Sequence, residues 1–400
     1  MNTHRSARYH LPGENDLEQG DLADVYFHRT LDVLAAEERN PVVRAEFACK
    51  SLPGDWRWAV LAGLDEATEL LSTRSLDARA LPEGTVFGER EPVLEVRGPY
   101  QDFCLLETSL LGFLCQASGV ATAAARCRIA AGDRTLLSFG ARRLHPGAVP
   151  AVERAAYVGG CDGVSTVAGA RAAGISPSGT IPHALILVLG DTVGATEAFH
   201  GVVREGAPRI SLIDTFHDEQ FEAIRVAEEL GDALDGLRLD TPGTRKGDFP
   251  EIFHQVRWEL DRRGFDDIEL FASGGIDEDA ILELNEVVDG YGVGGAISAA
   301  PIVDFSMDIV EIEGRPVAKR GKRTGAKQLF RCRECESRVV RPLAEPVPPE
   351  CVTCGSPMDP LLEDAVVGGE VARREDASTI RNRVLRQIQE SKLTLSIVGR

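Results

Sequence analysis

Between residues 135 and 300 the chain alternates short apolar runs with stretches of helical period. The apolar runs Thr135–Phe139, Gly163–Thr166, Ile210–Asp214, Gly236–Leu239, Ile268–Ala272 and Val288–Tyr291 each end in polar or glycine residues. Helical periodicity follows over Val152–Val158, Asp218–Leu230, Pro250–Arg263 and Asp277–Leu284. Strands this short, separated by helices, pair in parallel, so the pattern predicts an α/β fold with a βα-barrel or open barrel. The stretch Ile181–Leu189 fits a strand or a helix, which leaves seven or eight strands open. Upstream, Val42–Leu52 and Pro92–Val96 read as extended, Gly98-Pro99 as a break, and Asp102–Ala130 as a long amphipathic helix. After Pro301 the rhythm stops. Ile309–Glu313 reads as a strand, Arg315–Lys327 as a basic loop, and Ser378–Ser391 as a final helix capped by Asp376 or Ser378. No internal repeat is visible.

Composition narrows the class. The 400 residues are 43% hydrophobic and 27% charged, a folded composition too long for one core. No uninterrupted apolar run reaches the roughly 18 residues of a membrane span, and the first twenty residues lack the apolar centre of a secretory signal. The expected location is the cytosol, with no membrane partner. Net charge is −19, and only six basic residues are lysine. An acidic, arginine-rich surface stays hydrated where salt screens repulsion, as in a halophile, and an ordinary acidic protein has the same sign. Either field repels a nucleic-acid backbone.

Nine cysteines fall into two groups. Five are isolated and fit buried apolar positions. Cys332, Cys335, Cys351 and Cys354 form two C-x-x-C pairs fifteen residues apart, a spacing that in a cytosolic chain reads as ligands of one structural Zn2+.

Barrel chemistry sits where strands end. Those positions here carry Phe139, Arg142 and Arg143, then Ser165-Thr166, then Gly179-Thr180 ahead of His183. Asp214-Thr215, Arg238 and Asp240, Ser273-Gly274-Gly275 and Gly294-Gly295 complete the set. Glycine runs on the last two strands suit a phosphate, because backbone N–H groups can approach its oxygens; they also suit plain tight turns. The arginines can fork onto phosphate or carboxylate. Asp214 and Asp240 can hold a ribose hydroxyl or Mg2+, stabilise a developing positive carbon, or serve as structural salt bridges. Ten Lys or Arg lie between Arg315 and Arg341, against only Glu334 and Glu336, so this island predicts an anionic partner such as phosphate.

Taken in order, these motifs resemble nicotinate phosphoribosyltransferase, of the type II phosphoribosyltransferases. The resemblance runs from about Gly20 to Gly325 through Asp24-Val-Tyr26-Phe27, Phe47-Ala-Cys-Lys50, Phe139-Gly-Ala-Arg142, Gly-Thr-Ile-Pro-His183, Asp214-Thr, Arg238-Leu-Asp240, Gly-Tyr-Gly-Val-Gly-Gly295 and Pro316-Val-Ala-Lys-Arg. It implies an α/β-sandwich N-terminal domain over 1–102, completed by 301–325, and an irregular βα-barrel over 103–300. A zinc-knuckle module over 326–360 and a helical segment over 361–400 would follow.

The implied reaction joins nicotinate to 5-phosphoribosyl 1-pyrophosphate with ATP hydrolysis, the entry to NAD salvage. The resemblance implies that Phe139 and a neighbouring subunit's Tyr26 sandwich the pyridine, with Arg238 along the ring. Asp214 and Asp240 would attend the ribose, and Ser273, Gly274, Gly275, Gly294 and Gly295 its phosphate. Arg142, Lys50, Lys319, Arg320 and Lys322 would face pyrophosphate or ATP, and Thr180 would flank His183, the residue phosphorylated by ATP. Ser165 would donate to the nicotinate carboxylate where amide-using relatives place an aspartate. A homodimer with shared sites, or a larger assembly of such dimers, is implied. The alternatives are a decarboxylating quinolinate phosphoribosyltransferase and, further off, a zinc-ribbon nucleic-acid-binding protein.

Overall fold

The computed structural model describes residues 9–203, 208–344 and 349–390. The chain divides into two compact units, residues 123–300 and residues 1–122 with 301–400.

Residues 123–300 hold six parallel strands. In chain order they are Thr135–Ser138, Gly163–Val164, Ile210–Leu212, Gly236–Leu239, Glu269–Ser273 and Gly290–Val293. The sheet order is second, first, sixth, fifth, fourth, third. Every chain neighbour is therefore a sheet neighbour except the second and third strands, and the sixth closes back onto the first through Gly290↔Thr135 to Val293↔Ser138. Among the described residues this is a barrel with one opening, of six strands rather than seven or eight. The ambiguous stretch resolves as a helix, His183–Leu189, in the connection across the opening. Its missing alternation is the reason the sequence could not decide: six apolar residues in a row, residues 184–189, serve a short helix as well as a strand.

The barrel strands read as apolar runs because both faces are covered, as parallel sheets require. Ile210–Leu212 and Gly290–Val293 are buried along their whole length. The sixth strand takes glycine at alternate positions for space. A Cβ on Gly290 would meet the Phe271 ring at 2.4 Å, and one on Gly292 would meet the Phe139 ring at 2.4 Å. Carboxylates start four of the outer helices. Asp191, Asp218, Asp248 and Asp277 each accept a backbone N–H of the first turn, and Thr166 does so for Val167–Ala173. Part of the chain's acidity thus goes into capping.

The other unit centres on a mixed-origin antiparallel sheet. Strand Val42–Ser51 lies between Asp304–Ile312 and Pro92–Pro99, and Asp77–Ala80 lies between Pro92–Pro99 and Glu363–Val367. Residues 361–400 were expected as a helical segment, but they begin with two strands, Glu363–Val367 and Glu370–Val371. Asp77–Ala80 would otherwise present a free edge, which is what Glu363–Val367 covers. The final helix, Ala377–Glu390, is capped by Asp376, which accepts from Thr379 N at 2.6 Å; position 391 and beyond lie outside the described residues. Gln387 on this helix bonds Val86 N and Gly84 O at 2.9 and 2.8 Å.

The long helix runs Glu107–Ala131. It is amphipathic only in its first half; from Ala117 to Ala131 every residue but Ile129 is buried. With the turns before it, this segment is long and apolar enough to cross a membrane by composition, at mean hydropathy 1.4, yet 56% of it is buried inside protein. Alanine, serine and glycine here serve close packing.

Candidate active site

The strand ends of the barrel bring one titratable cluster together. His183, first residue of its helix, places Nε2 3.6 Å from Asp214 Oδ2 and 3.7 Å from Asp240 Oδ2. Nδ1 lies 3.0 Å from Thr215 Oγ1. The two carboxylate approaches are ion contacts, too long for hydrogen bonds. Asp240 is the main influence raising the His183 pKa above its ordinary value, partly opposed by burial. Burial also works to raise Asp240, but His183, Arg238 and Ser273 outweigh it and hold it below the usual range. Ser273 Oγ donates to Asp240 Oδ1 at 3.1 Å.

Asp214 is different. Its side chain is 2% exposed, and neither carboxylate oxygen has a hydrogen-bond partner. Burial raises its pKa. Arg238 Nε and Thr180 Oγ1 are likewise buried without a partner. Buried polar groups are nearly always satisfied, so orphans gathered on adjoining strand ends mark a place where a ligand completes the bonding.

Arg238 connects the acids to the aromatic side of the cluster. Its guanidinium carbon lies 5.9 Å from the Phe139 ring centroid, and Nη2 donates to Ile181 O at 3.4 Å. Burial lowers its pKa, with Arg142 adding to the effect. The fifth strand ends in Gly274 and Gly275, with φ +81° and +74°. A Cβ on Gly274 would sit 2.7 Å from Asp240 Oδ1, so glycine alone allows the turn and the carboxylate to coexist. Past the sixth strand, it is Arg143 rather than Arg142 that lies against the glycines: its Nη1 is 3.3 Å from where a Gly294 Cβ would be, and its Cδ 3.8 Å from that of Gly295.

Ser165 departs from expectation. Its hydroxyl donates to Glu153 Oε1 at 2.6 Å and its N–H to the same oxygen at 2.9 Å. Thr166 N donates to Glu153 Oε2 at 3.1 Å, joined by the Thr166 hydroxyl. Glu153 is 1% exposed. The Ser165 hydroxyl proton is thus engaged by the buried Glu153 within the chain. The sequence carries one signal for this, an acidic residue beside Arg154 in the mostly apolar helix Val149–Val158.

Tyr26, Lys50, Lys319, Arg320 and Lys322 belong to the other unit. Tyr26 is 55% exposed and donates to Asp24 Oδ2 at 3.2 Å. Lys50 pairs with Asp304 at 2.9 Å, and Lys319 and Lys322 share Asp308 at 2.5 and 2.8 Å. Within the described chain these three lysines are therefore paired with carboxylates, while Arg320 is exposed. Asp308 and Lys319 also line a cavity of about 370 Å³ with Tyr100 and Glu107. Burial, then Asp308, pushes Glu107 up to about 7. A raised folded pKa contributes stability in full below the unfolded value of 4.5, lost as pH rises through about 7. Glu107→Gln is therefore expected to be more stable than the parent at pH 8 by about 1–2 kcal/mol, after discounting for partial exposure, and by much less at pH 5. Urea midpoints at the two pH values check this; an equal difference at both would exclude titration of Glu107.

The four cysteines converge in a small three-stranded element, Arg338–Pro342, Lys327–Cys332 and Met358–Pro360. Their sulfurs all lie within 4.8 Å of one another. Cys332–Cys354 and Cys335–Cys351 are 3.4 Å apart. Four thiolates about 2.3 Å from one zinc would stand about 3.8 Å apart, so the donor set fits a tetrahedral metal after a slight expansion. Backbone N–H groups of Cys354 and Thr353 hold Cys351 down to about 6, which favours the thiolate.

The comparisons with known proteins agree with this geometry. Quinolinate phosphoribosyl transferase N-terminal and C-terminal domain models match residues 24–118 and 120–308. Nicotinate phosphoribosyltransferase pncB1 of Mycobacterium tuberculosis is 30% identical over 377 residues, covering 83% of this chain and 82% of the relative. The chain belongs to the quinolinate and nicotinate phosphoribosyltransferase family. Among further relatives of this phosphoribosyltransferase, the Bacillus subtilis nicotinate phosphoribosyltransferase is 29% identical over 336 residues, 74% of this chain and 66% of that one. Among solved structures, a nicotinate-nucleotide pyrophosphorylase from Pyrococcus furiosus is 46% identical, with TM-score 0.94 over 97% of this chain and all of that one. Human nicotinic acid phosphoribosyltransferase, 21% identical, shares the fold at TM-score 0.69 over 91% and 93% of the two chains. Both family models stop before the cysteines, the second at residue 308.

Proposed function

We propose that this phosphoribosyltransferase joins nicotinate to 5-phosphoribosyl 1-pyrophosphate, forming nicotinate mononucleotide and releasing pyrophosphate, with ATP hydrolysis coupled through His183. The pyridine nitrogen attacks C1 of the ribose as the C1–oxygen bond to pyrophosphate breaks, and the leaving group carries away the electron pair. The observation that carries the reading is the buried, unpartnered Asp214 beside His183, Asp240 and Arg238. A fixed carboxylate with open acceptors suits a ribose hydroxyl, a Mg2+ ion, or the positive charge that develops on the sugar. Arg238, half-stacked on Phe139, suits a planar ring bearing a carboxylate. Gly274–Gly275 and Gly294–Gly295 suit the 5-phosphate.

A zinc ion at the four cysteines would be structural, since four protein thiolates leave no open position. Tyr26, Lys50, Arg320 and the Lys319–Lys322 loop would act in a second subunit's site within a homodimer, which also accounts for an exposed tyrosine on a helix with apolar Val25 and Val33 exposed beside it. The reaction belongs to the cytosol.

The specific observation favouring quinolinate instead is the match of residues 24–118 and 120–308 to the quinolinate phosphoribosyl transferase domain models. Assays of purified enzyme with nicotinate, nicotinamide and quinolinate, each with and without ATP, separate the readings. Nicotinate mononucleotide from nicotinate, stimulated by ATP, is expected. Carbon dioxide release from quinolinate, indifferent to ATP, would replace the reading.

A further inference from the structure

The glycine turn after the fifth strand has a cation fixed against it that the sequence motifs do not mark. Lys246 lies in the loop between the fourth strand and the helix Phe249–Asp261. Its Nζ donates to the Gly274 carbonyl at 2.6 Å and stands 3.9 Å from the Phe249 ring centroid. Phe249 opens a helix that Asp248 caps, so the aromatic face under the ammonium is itself anchored. Lysine side chains are ordinarily mobile, and two such contacts hold this one in place.

The turn it faces is built for an anion. Gly274 and Gly275 both have left-handed φ, and the N–H groups of Gly275 and Ile276 make no hydrogen bond among the described residues. Consecutive unspent N–H groups in such a turn form a concavity that favours negative charge. The ammonium has three protons: one goes to Gly274 O, the ring takes another, and the third is left for a ligand. Nearby carboxylates are already engaged, Asp277 in accepting Ala280 N at 3.0 Å and Asp240 with Ser273 and His183. Burial lowers the Lys246 pKa, the cost that a bound anion would relieve.

We infer that Lys246 is a substrate-binding residue, its ammonium and the Gly274–Gly275 turn together holding the 5-phosphate of the phosphoribosyl substrate. This rests on the phosphoribosyl-transfer reading above and adds a residue to it. Lys246→Met keeps the stem and the packing on Phe249 while removing the charge. It is expected to raise KM for 5-phosphoribosyl 1-pyrophosphate by ~10-fold or more, and to weaken competitive inhibition by inorganic phosphate to a similar degree. KM for the pyridine substrate should stay within about twofold, and Lys246→Arg should restore part of the loss. A purely structural lysine would lower the melting temperature of Lys246→Met and leave phosphate inhibition untouched; that result, in a folded variant, overturns the inference. Calorimetric titration of parent and variant with inorganic phosphate tests the same point without turnover. If the parent transfers phosphoribosyl to no pyridine acid, the functional reading fails, while weaker phosphate binding by Lys246→Met would still stand.

Discussion

His183→Ala is expected to abolish stimulation by ATP and to leave a basal rate of nucleotide synthesis. The imidazole sits between two carboxylates at one nitrogen and a hydroxyl at the other. That arrangement suits imidazolium, which donates on both sides, and it explains the raised pKa. Only the neutral ring can attack the γ-phosphorus of ATP. ATP-dependent turnover should therefore fall as pH drops through a value above the ordinary 6.5 of histidine. A phosphoryl group formed on Nε2 would face Asp214 and Asp240 at close range. That repulsion would make it a high-energy group, lost to attack by water with cleavage of the N–P bond, release of inorganic phosphate and return of the free imidazole. Removing it is expected to cost coupling, on the order of 100-fold in ATP-stimulated rate, while the basal rate would persist on the proposed ring and sugar contacts of Phe139, Arg238 and Asp240. Full ATP coupling in His183→Ala, or phosphate recovered on another residue, would remove His183 from this role.

Loss of the metal should have the larger effect on stability. Cys332→Ser is expected to lower zinc content from one per chain toward zero and to expose the backbone of residues 327–360 to solvent exchange. The segment has little core of its own: Phe330, Cys332, Cys351 and Met358, with Val339 packed against them. Such a cluster stabilises a module only when an ion ties its ligands, and structural zinc contributes of order 10 kcal/mol to small domains at neutral pH. The damage should spread to the sheet, because Leu329 on the same strand belongs to the main core of this unit. Metal analysis with exchange mass spectrometry measures both expectations. Protein that holds no zinc as purified, and is as well protected there as elsewhere, would show that the cysteines support the fold unaided.

How much of this was legible depended on the type of signal. All six barrel strands were legible as short apolar runs, since burial on both faces leaves little else. The helix at His183 was not, because six consecutive apolar residues carry no period. The final strands Glu363–Val367 and Glu370–Val371 were hidden because they are short, half-exposed and partly polar. At the site, Asp214 and Asp240 flank His183, Arg238 lies by Phe139, and Ser273 bonds Asp240. The bonding of Ser165 is beyond what a motif reveals, since the direction of its proton is set by Glu153, twelve residues upstream. Lys246 carries no mark in the sequence, because a lysine in a polar loop looks like any solvated residue until Gly274 and Phe249 are seen beside it.

The strand orders also set a timetable. In each unit, an early strand has as its partner a segment made much later. Thr135–Ser138 pairs with Gly290–Val293, and Val42–Ser51 with Asp304–Ile312. Asp77–Ala80 waits longer still, for Glu363–Val367. While the ribosome works through the middle of the chain, none of these edges has its partner, and the apolar strands stay open to misassembly. Closing such long loops is slow because the entropic cost falls before any contact rewards it. Maturation is consequently tied to synthesis of the chain through Val367, and a nonsense mutation ahead of Glu363 should leave an insoluble product, not a shortened enzyme.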